Sequence, residues 1–265
     1  MLTNFNYPAS VSDEGYLLDP DDHRVKSFPV AEHIPFGRVI GTVSLDGSMG
    51  QLPSPNKFVF SADLIASNVI GGNVTILSYD SLGVLTSVPM AISPVTFATS
   101  LANTMVGIKA AIETLDPKLT ANIDTTDVNN RTIYVTHSDN LVVILSGFGV
   151  TAGTSQANVA YTFFGKLIGV TVIANRQPDS NGVRQYRARD EAGVLTEGRV
   201  VVKPIDYTDI NSTVFVQFID QPGVATRGTI RNSSSSGNAI SFATRTTLNS
   251  QATALNANIL QINLP

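Results

Sequence analysis

Cysteine and tryptophan are both missing from these 265 residues, and Asp, Glu, Lys and Arg together make up only 14%. Without cysteine there is no disulfide framework, no thiolate zinc site, no iron–sulfur cluster and no thiol nucleophile. The same absence leaves the redox compartment unread. Soluble domains carry about 25% charged residues, so this surface is unusually bland. Lys and Arg number 17 against 21 Asp and Glu, a net charge of −4. Basic blocks are missing too, so neither nucleic acid nor an anionic membrane is an expected partner. No run approaches the roughly 20 apolar residues that a helical bilayer crossing needs. The first 30 residues hold Asp13, Glu14, Asp19, Asp21 and Asp22 and no apolar run, which is not the pattern of a secretory leader.

What is present is mainly β. Residues 1–33 read as an extended N-terminal arm, because Pro8, Pro20 and Pro29 each withhold an amide donor and polar residues separate the few apolar ones. Residues 34–56 open a β domain and end on Leu52-Pro53-Ser54-Pro55-Asn56, a stiff connector. Residues 57–162 have another texture and read as an inserted α+β module of ββαββ order. Val74 to Tyr79 and Val84 to Val88 form a hairpin around Asp80-Ser81-Leu82-Gly83. A helix follows, since Leu101, Met105, Ile108, Ile112 and Leu115 make one apolar stripe. Thr99 or Ser100 caps its start and Asp116-Pro117 stops it. Strands at Thr132 to Thr136 and Leu141 to Leu145 close the module.

From 163 to 265 strand candidates recur at Leu167 to Ile173, Gly198 to Lys203, Thr213 to Ile219, Thr226 to Arg231, Ala239 to Thr244 and Ala257 to Leu264. Turn signals separate them, among them Asn181-Gly182 and Gln221-Pro222-Gly223. Such spacing predicts a β-barrel or jelly-roll-like sandwich, built from 34–56 and 163–265 around the insert.

Reactive constellations are scarce. His23, His33 and His137 show no HExxH or HxxxH spacing and read as solvated loop histidines. There is no GxSxG elbow. Gly147-Phe148-Gly149 lacks the third glycine of a dinucleotide loop and reads as a tight turn between strands. The acids Asp19, Asp21 and Asp22 lack the spacing of a calcium loop and read as a solvated turn; Asp206, Asp209 and Asp220 are scattered. Arg184-Gln185-Tyr186-Arg187-Ala188-Arg189 is the one basic concentration, but Asp190 and Glu191 follow at once, which favours a loop or salt-linked interface. The four Asn-x-Ser/Thr triplets, at Asn73, Asn130, Asn211 and Asn232, read as chance in an Asn- and Thr-rich chain. No catalytic residue, metal site or cofactor is expected. Sparse charge suits work by surface burial instead, because every charge taken out of water needs a partner.

A family resemblance sharpens this reading. Asn6-Tyr7-Pro8-Ala9, Gly15-Tyr16-Leu17-Leu18-Asp19 and Ala31-Glu32-His33-Ile34-Pro35-Phe36-Gly37-Arg38-Val39-Ile40 resemble the start of the tailed-bacteriophage structural cement, or capsid decoration, proteins. Phe163 to Val170, Tyr186 with the strand from Gly198 to Lys203, and the closing alternation from Arg231 to Leu264 are similar to the family's later segments. The resemblance covers roughly residues 4–43 and 163–264. It implies a homodimer or homotrimer on the outer surface of the virion, bridging neighbouring subunits of the major capsid protein. In that case Phe5, Tyr7, Tyr16, Leu17, Phe28, Pro35, Phe36, Gly37 and Arg38 are the candidate capsid or intersubunit contacts, with Arg38 suited to a capsid carboxylate. A core position suits Phe36 and a bulge suits Gly37 equally well. The alternative is a phage tail or head-fibre-base protein whose module binds a host surface; a β-fold hydrolase stands third.

Overall fold

Val and Ile dominate the segments between turns, and the computed structural model places them in antiparallel sheets. It describes residues 14–17, 23–43, 48–127, 129, 131–153, 158–174, 184–205, 213–221, 226–231, 233–234 and 237–242, and the backbone of 247–253 and 257–263. Phe5, Tyr7, the acids at 19–22, Asp206, Asp209, the Asn181-Gly182 turn and three of the Asn-x-Ser/Thr asparagines lie outside the described residues.

The largest sheet has six strands. Its order is β18 (Thr247–Thr253), β19 (Ala257–Asn263), β14 (Glu191–Val202), β12 (Lys166–Thr171) and β3 (Val39–Thr42), and β1 (Arg24–Pro29) also pairs with β14. Strand β14 organises it. Ala192 and Val194 face one core, with Val30, Ile34, Phe36, Ile40 and Tyr186. Leu195, Val200 and Val202 face another. Strict alternation would put Val200 on the side of Val194. The register with β1 runs Val25↔Leu195 and then Arg24↔Glu197, so Thr196 is an extra residue. One inserted residue exchanges the faces beyond it.

Two further groups of strands cover this sheet. On the Leu195 side, β15 (Phe215–Gln217) lies between β16 (Ile230–Arg231) and β17 (Ala239–Ser241), and Val216, Ile230 and Phe242 fill the space between. On the other side β2 (Ile34–Pro35) pairs with β13 (Gln185–Tyr186).

None of the described sheets closes into the expected barrel. The reason lies at β3, whose outer edge is capped by coil. Gly41 exchanges both main-chain bonds with Gln51, and Val39 N–H donates to the Gly228 carbonyl at 2.9 Å. An edge satisfied this way has no groups left for a closing strand.

Residues 57–162 build a separate core from two four-stranded sheets and the helix. One sheet holds β10 (Val142–Ala152), β5 (Val69–Tyr79), β6 (Leu85–Ala91) and β7 (Val95–Thr96). The other holds β11 (Val159–Thr162), β4 (Lys57–Phe60), β9 (Thr132–His137) and β8 (Leu119–Ile123). Helix α1 (Leu101–Glu113) buries Met105, Ile108 and Ile112 against Phe58, Val74, Ala121 and Leu145. Ser100 caps it, accepting from the Asn103 N–H at 3.2 Å.

Gly147-Phe148-Gly149 is not a turn. It is an irregularity inside β10, whose register with β5 jumps between Ser146 and Gly149. Phe148 is thereby turned inward to stack on Phe58 at 4.5 Å. Gly72 makes room for it, since a Cβ there would lie 2.5 Å from the ring.

Candidate functional site

The segment from Ala31 to Arg38, which carries the densest run of the resemblance, sits where three parts of the chain converge. Ile34 and Pro35 pair with Tyr186 and Gln185. The Tyr186 hydroxyl donates to the Val172 carbonyl at 2.9 Å and accepts the Gly193 N–H at 3.1 Å. Phe36 packs edge-on against that ring at 5.2 Å. Phe36 is thus core: only 7% of it is exposed. The Arg184–Arg189 segment, expected as a loop, contributes the β13 strand and then a tight turn in which Asp190 accepts the Arg187 N–H at 2.9 Å.

Glu14 to Leu17 dock beside it. Gly15 N–H donates to the Val201 carbonyl at 2.8 Å, and the Tyr16 carbonyl accepts from Val201 N–H at 2.9 Å. Leu17 bridges to Val200 and packs on the neighbouring core. Gly37 adopts φ +75°, and a Cβ on it would lie 2.6 Å from the Glu14 Cβ. Arg38 Nη1 reaches Glu14 Oε1 at 3.3 Å, an ion pair within the chain. Burial pushes the Glu14 carboxyl up, against the pull of Arg38 and Lys203. Phe28, in β1, is partly buried against the same core as Phe36.

Directly behind this segment lies a charge cluster that the sequence did not single out. Arg227 Nη2 sits 2.5 Å from Glu32 Oε2 and Nη1 sits 3.4 Å from Oε1. Both residues are buried. Glu32 Oε1 also accepts the Leu52 N–H at 2.8 Å. Asp220 takes the Arg227 main-chain N–H at 2.8 Å and Nε at 3.3 Å. Burial pushes the Glu32 carboxyl up, opposed by Arg227 and by the Leu52 amide. Burial also works against the guanidinium charge, but Glu32 and Asp220 more than offset it. A cleft of about 280 Å³ opens beside Arg227 and Asp220, walled mainly by Pro55, Ile144, Leu145 and Ile219.

One of the histidines is buried and another is half-buried. His137 is buried at the end of β9, and burial lowers its pKa. His33 stacks on Tyr79 at 4.3 Å. Among the described residues no three His, Asp or Glu side chains converge to hold a metal ion. No helix there is long and apolar enough to cross a membrane. The polar groups buried around Glu32 bond to one another and to main chain, so their chemistry is that of holding segments together.

The comparison with known families says what kind of protein this scaffold serves. The family model for the structural cement protein (E217 gp24/Pam3 gp6) matches residues 116–263, more than half of the chain. The chain belongs to this family of phage structural cement proteins, which are virion components of the capsid exterior with a capsid-stabilising role. No curated protein and no solved structure matches it. The matched residues include β8 to β19 and Arg227, whereas the Ala31–Ile40 run lies before them.

Proposed function

We propose that this cement protein binds the outer surface of the assembled icosahedral head and bridges neighbouring major capsid subunits, acting as a homodimer or homotrimer. Membership of the cement family is the observation that carries the reading. The sparse charge supports it, because a surface with few charges loses little solvation when covered. A ligand that binds only the assembled lattice stabilises that lattice by mass action. Symmetry-related copies then multiply a modest contact by avidity.

In this reading, 34–56 and 163–265 form an open jelly-roll-like base and 57–162 an inserted module. The arm, 1–33, reaches a neighbour through Phe5 and Tyr7. Tyr16, Leu17 and Phe28 tether its later part, and Pro35, Phe36, Gly37 and Arg38 fix the point where it leaves the base. Removing residues 1–13 spares every contact described for Glu14 and beyond. Co-sedimentation of that truncated chain with expanded heads tests the reading: loss of attachment with an unchanged circular dichroism spectrum is expected. Retained attachment would remove the arm from the contact. A single ring of density at the tail, in electron micrographs of labelled particles, would overturn the head location itself.

A further inference from the structure

Four of the large apolar side chains exposed among the described residues lie on one hairpin of the 57–162 segment. Leu82 is 87% exposed, Val88 65%, Val84 58% and Leu85 49%. All four lie outside the residues matched by the cement family. From Ser81 to Ile108 the chain has no Asp, Glu, Lys, Arg or His.

The tip is held rigidly. Asp80 Oδ1 accepts the N–H groups of both Leu82 and Val84 at 2.8 Å, and the Gly83 N–H donates to the Asp80 carbonyl at 3.0 Å. Below the tip, Tyr79 is stacked on His33. A preformed apolar tip loses little conformational freedom when it is covered.

Strand β6 ends its sheet, paired only with β5 among the described residues. The Ile92 N–H donates to Gly72 and the Val84 carbonyl accepts from Asp80, so even-numbered main-chain groups face β5. Alternation then turns the odd-numbered groups outward. Pro89 therefore faces the free edge with no N–H to offer, which blocks addition of another strand. Leu85 and Val88 stand on opposite faces of β6, so the apolar surface wraps that edge.

We infer that this hairpin is the contact between two copies of the chain, packed side chain against side chain about a two-fold axis. The inference rests on the homodimer form of the function proposed above and names its surface. Charge decides the occupant. A two-fold contact sets each patch against itself, so any charge near the axis meets its own sign. Asp80 is the hairpin's one charge and its Oδ1 is engaged by the Leu82 and Val84 amides, while strand β6 carries none, so in a chain of net charge −4 this strand is suited to self-contact. A contact with a different protein carries no such self-pairing restriction, since a charge there can meet its opposite. The four side chains offer on the order of several hundred Å². With their surroundings that approaches the roughly 800 Å² each partner buries in a standard interface. Pro89 keeps the association at two copies instead of an open sheet.

Sedimentation velocity of the full chain tests this, comparing wild type with Leu82→Lys and Val88→Lys. Wild type should sediment as a dimer, and each variant should dimerise at least about a hundredfold more weakly, since two lysines meet in one apolar contact. Circular dichroism confirms folding, and Val88→Thr, which keeps the β-branched shape, should weaken the dimer in the same direction should a lysine variant fail to fold. Variants that stay as associated as wild type would overturn the inference, as would a monomeric wild type. Variants that remain dimeric but no longer co-sediment with expanded heads would assign the hairpin to the shell and overturn it too. A dimer broken by these changes but indifferent to heads would leave the hairpin contact standing and defeat the bridging function instead.

Discussion

Glu32 and Arg227, 195 residues apart in the chain, meet with Oε2 2.5 Å from Nη2 in a site closed to solvent. One follows β1 and the other precedes β16, so the pair ties the start of the base to its late strands. Its worth lies in what happens when half of it is removed. A lone buried charge keeps its desolvation cost and loses its partner, which costs about 3–5 kcal/mol. Arg227→Met should therefore lower the unfolding free energy by that order in urea titrations. Glu32→Gln should cost less, because an amide still accepts the Leu52 N–H. Burial raises the Glu32 pKa, so the folded chain holds that proton more tightly than the unfolded one. Its own contribution is thus fullest below the ordinary glutamate range and declines as pH rises through the raised value. The Gln variant should lack that decline.

Strand β1 gives the second expectation. Arg24 to Ser27 are exposed, yet their main chain pairs with Glu197 to Gly193, and Val30 just beyond is fully buried. Deleting residues 1–30 would strip one side of β14 and open the core around Ile34. Such a chain should bind a hydrophobic dye and melt well below the full chain, whereas deletion of 1–13 should leave the melting temperature near wild type. Equal melting of both truncated chains would mean that β1 contributes nothing to the fold.

How much of this could be read from sequence depends on range. The helix was legible to its cap, because the Leu101, Met105, Ile108, Ile112 stripe and Ser100 are local signals. The β5–β6 hairpin was legible through Asp80 to Gly83, for the same reason. Strand β1 was not, since Arg24-Val25-Lys26-Ser27 buries little and looks like an arm. Strand β13 was hidden because Tyr186 sits among arginines, and the core that takes it in, with Val30, Ile34 and Phe36, comes from far earlier in the chain. The same holds for Glu32 and Arg227. Each looks like a solitary charge, and only the fold supplies the partner. The open sheet edge at β3 was likewise decided by Gln51 and Gly228, which no periodicity connects to Val39.

Gly37 is where the run Pro35-Phe36-Gly37-Arg38 has least freedom to vary. At φ +75° an L side chain pays roughly 1–2 kcal/mol in backbone strain. The new Cβ would also lie 2.6 Å from the Glu14 Cβ, forcing Glu14 away from Arg38. Gly37→Ala should accordingly destabilise by more than the backbone figure, and Glu14→Gly in the same chain, which removes the opposing Cβ, should recover part of the loss. A double-mutant cycle in urea measures that coupling. Additive losses would show that the crowding is relieved elsewhere.

Asp124 offers a test in which the sign of the pH effect is fixed. Its carboxylate holds Lys57 at 2.8 Å and the Thr126 hydroxyl at 2.6 Å, and these bonds, the lysine foremost, bring its pKa to about 2 from an ordinary 3.8. The folded chain releases this proton more readily than the unfolded one. The contribution is therefore complete above the ordinary aspartate range and fades as pH falls through about 2. Discounted for the partial exposure of both side chains, it is on the order of 1 kcal/mol at neutral pH. Asp124→Asn should lose that amount at pH 7, measured by urea unfolding. Near pH 2 the variant and wild type should converge, because wild type has by then taken up the proton that the amide mimics. Salt separates this pair from the buried one: raising ionic strength should shrink the Asp124→Asn difference, while leaving the loss from Arg227→Met almost unchanged, since ions screen what water reaches and not what the fold has closed off.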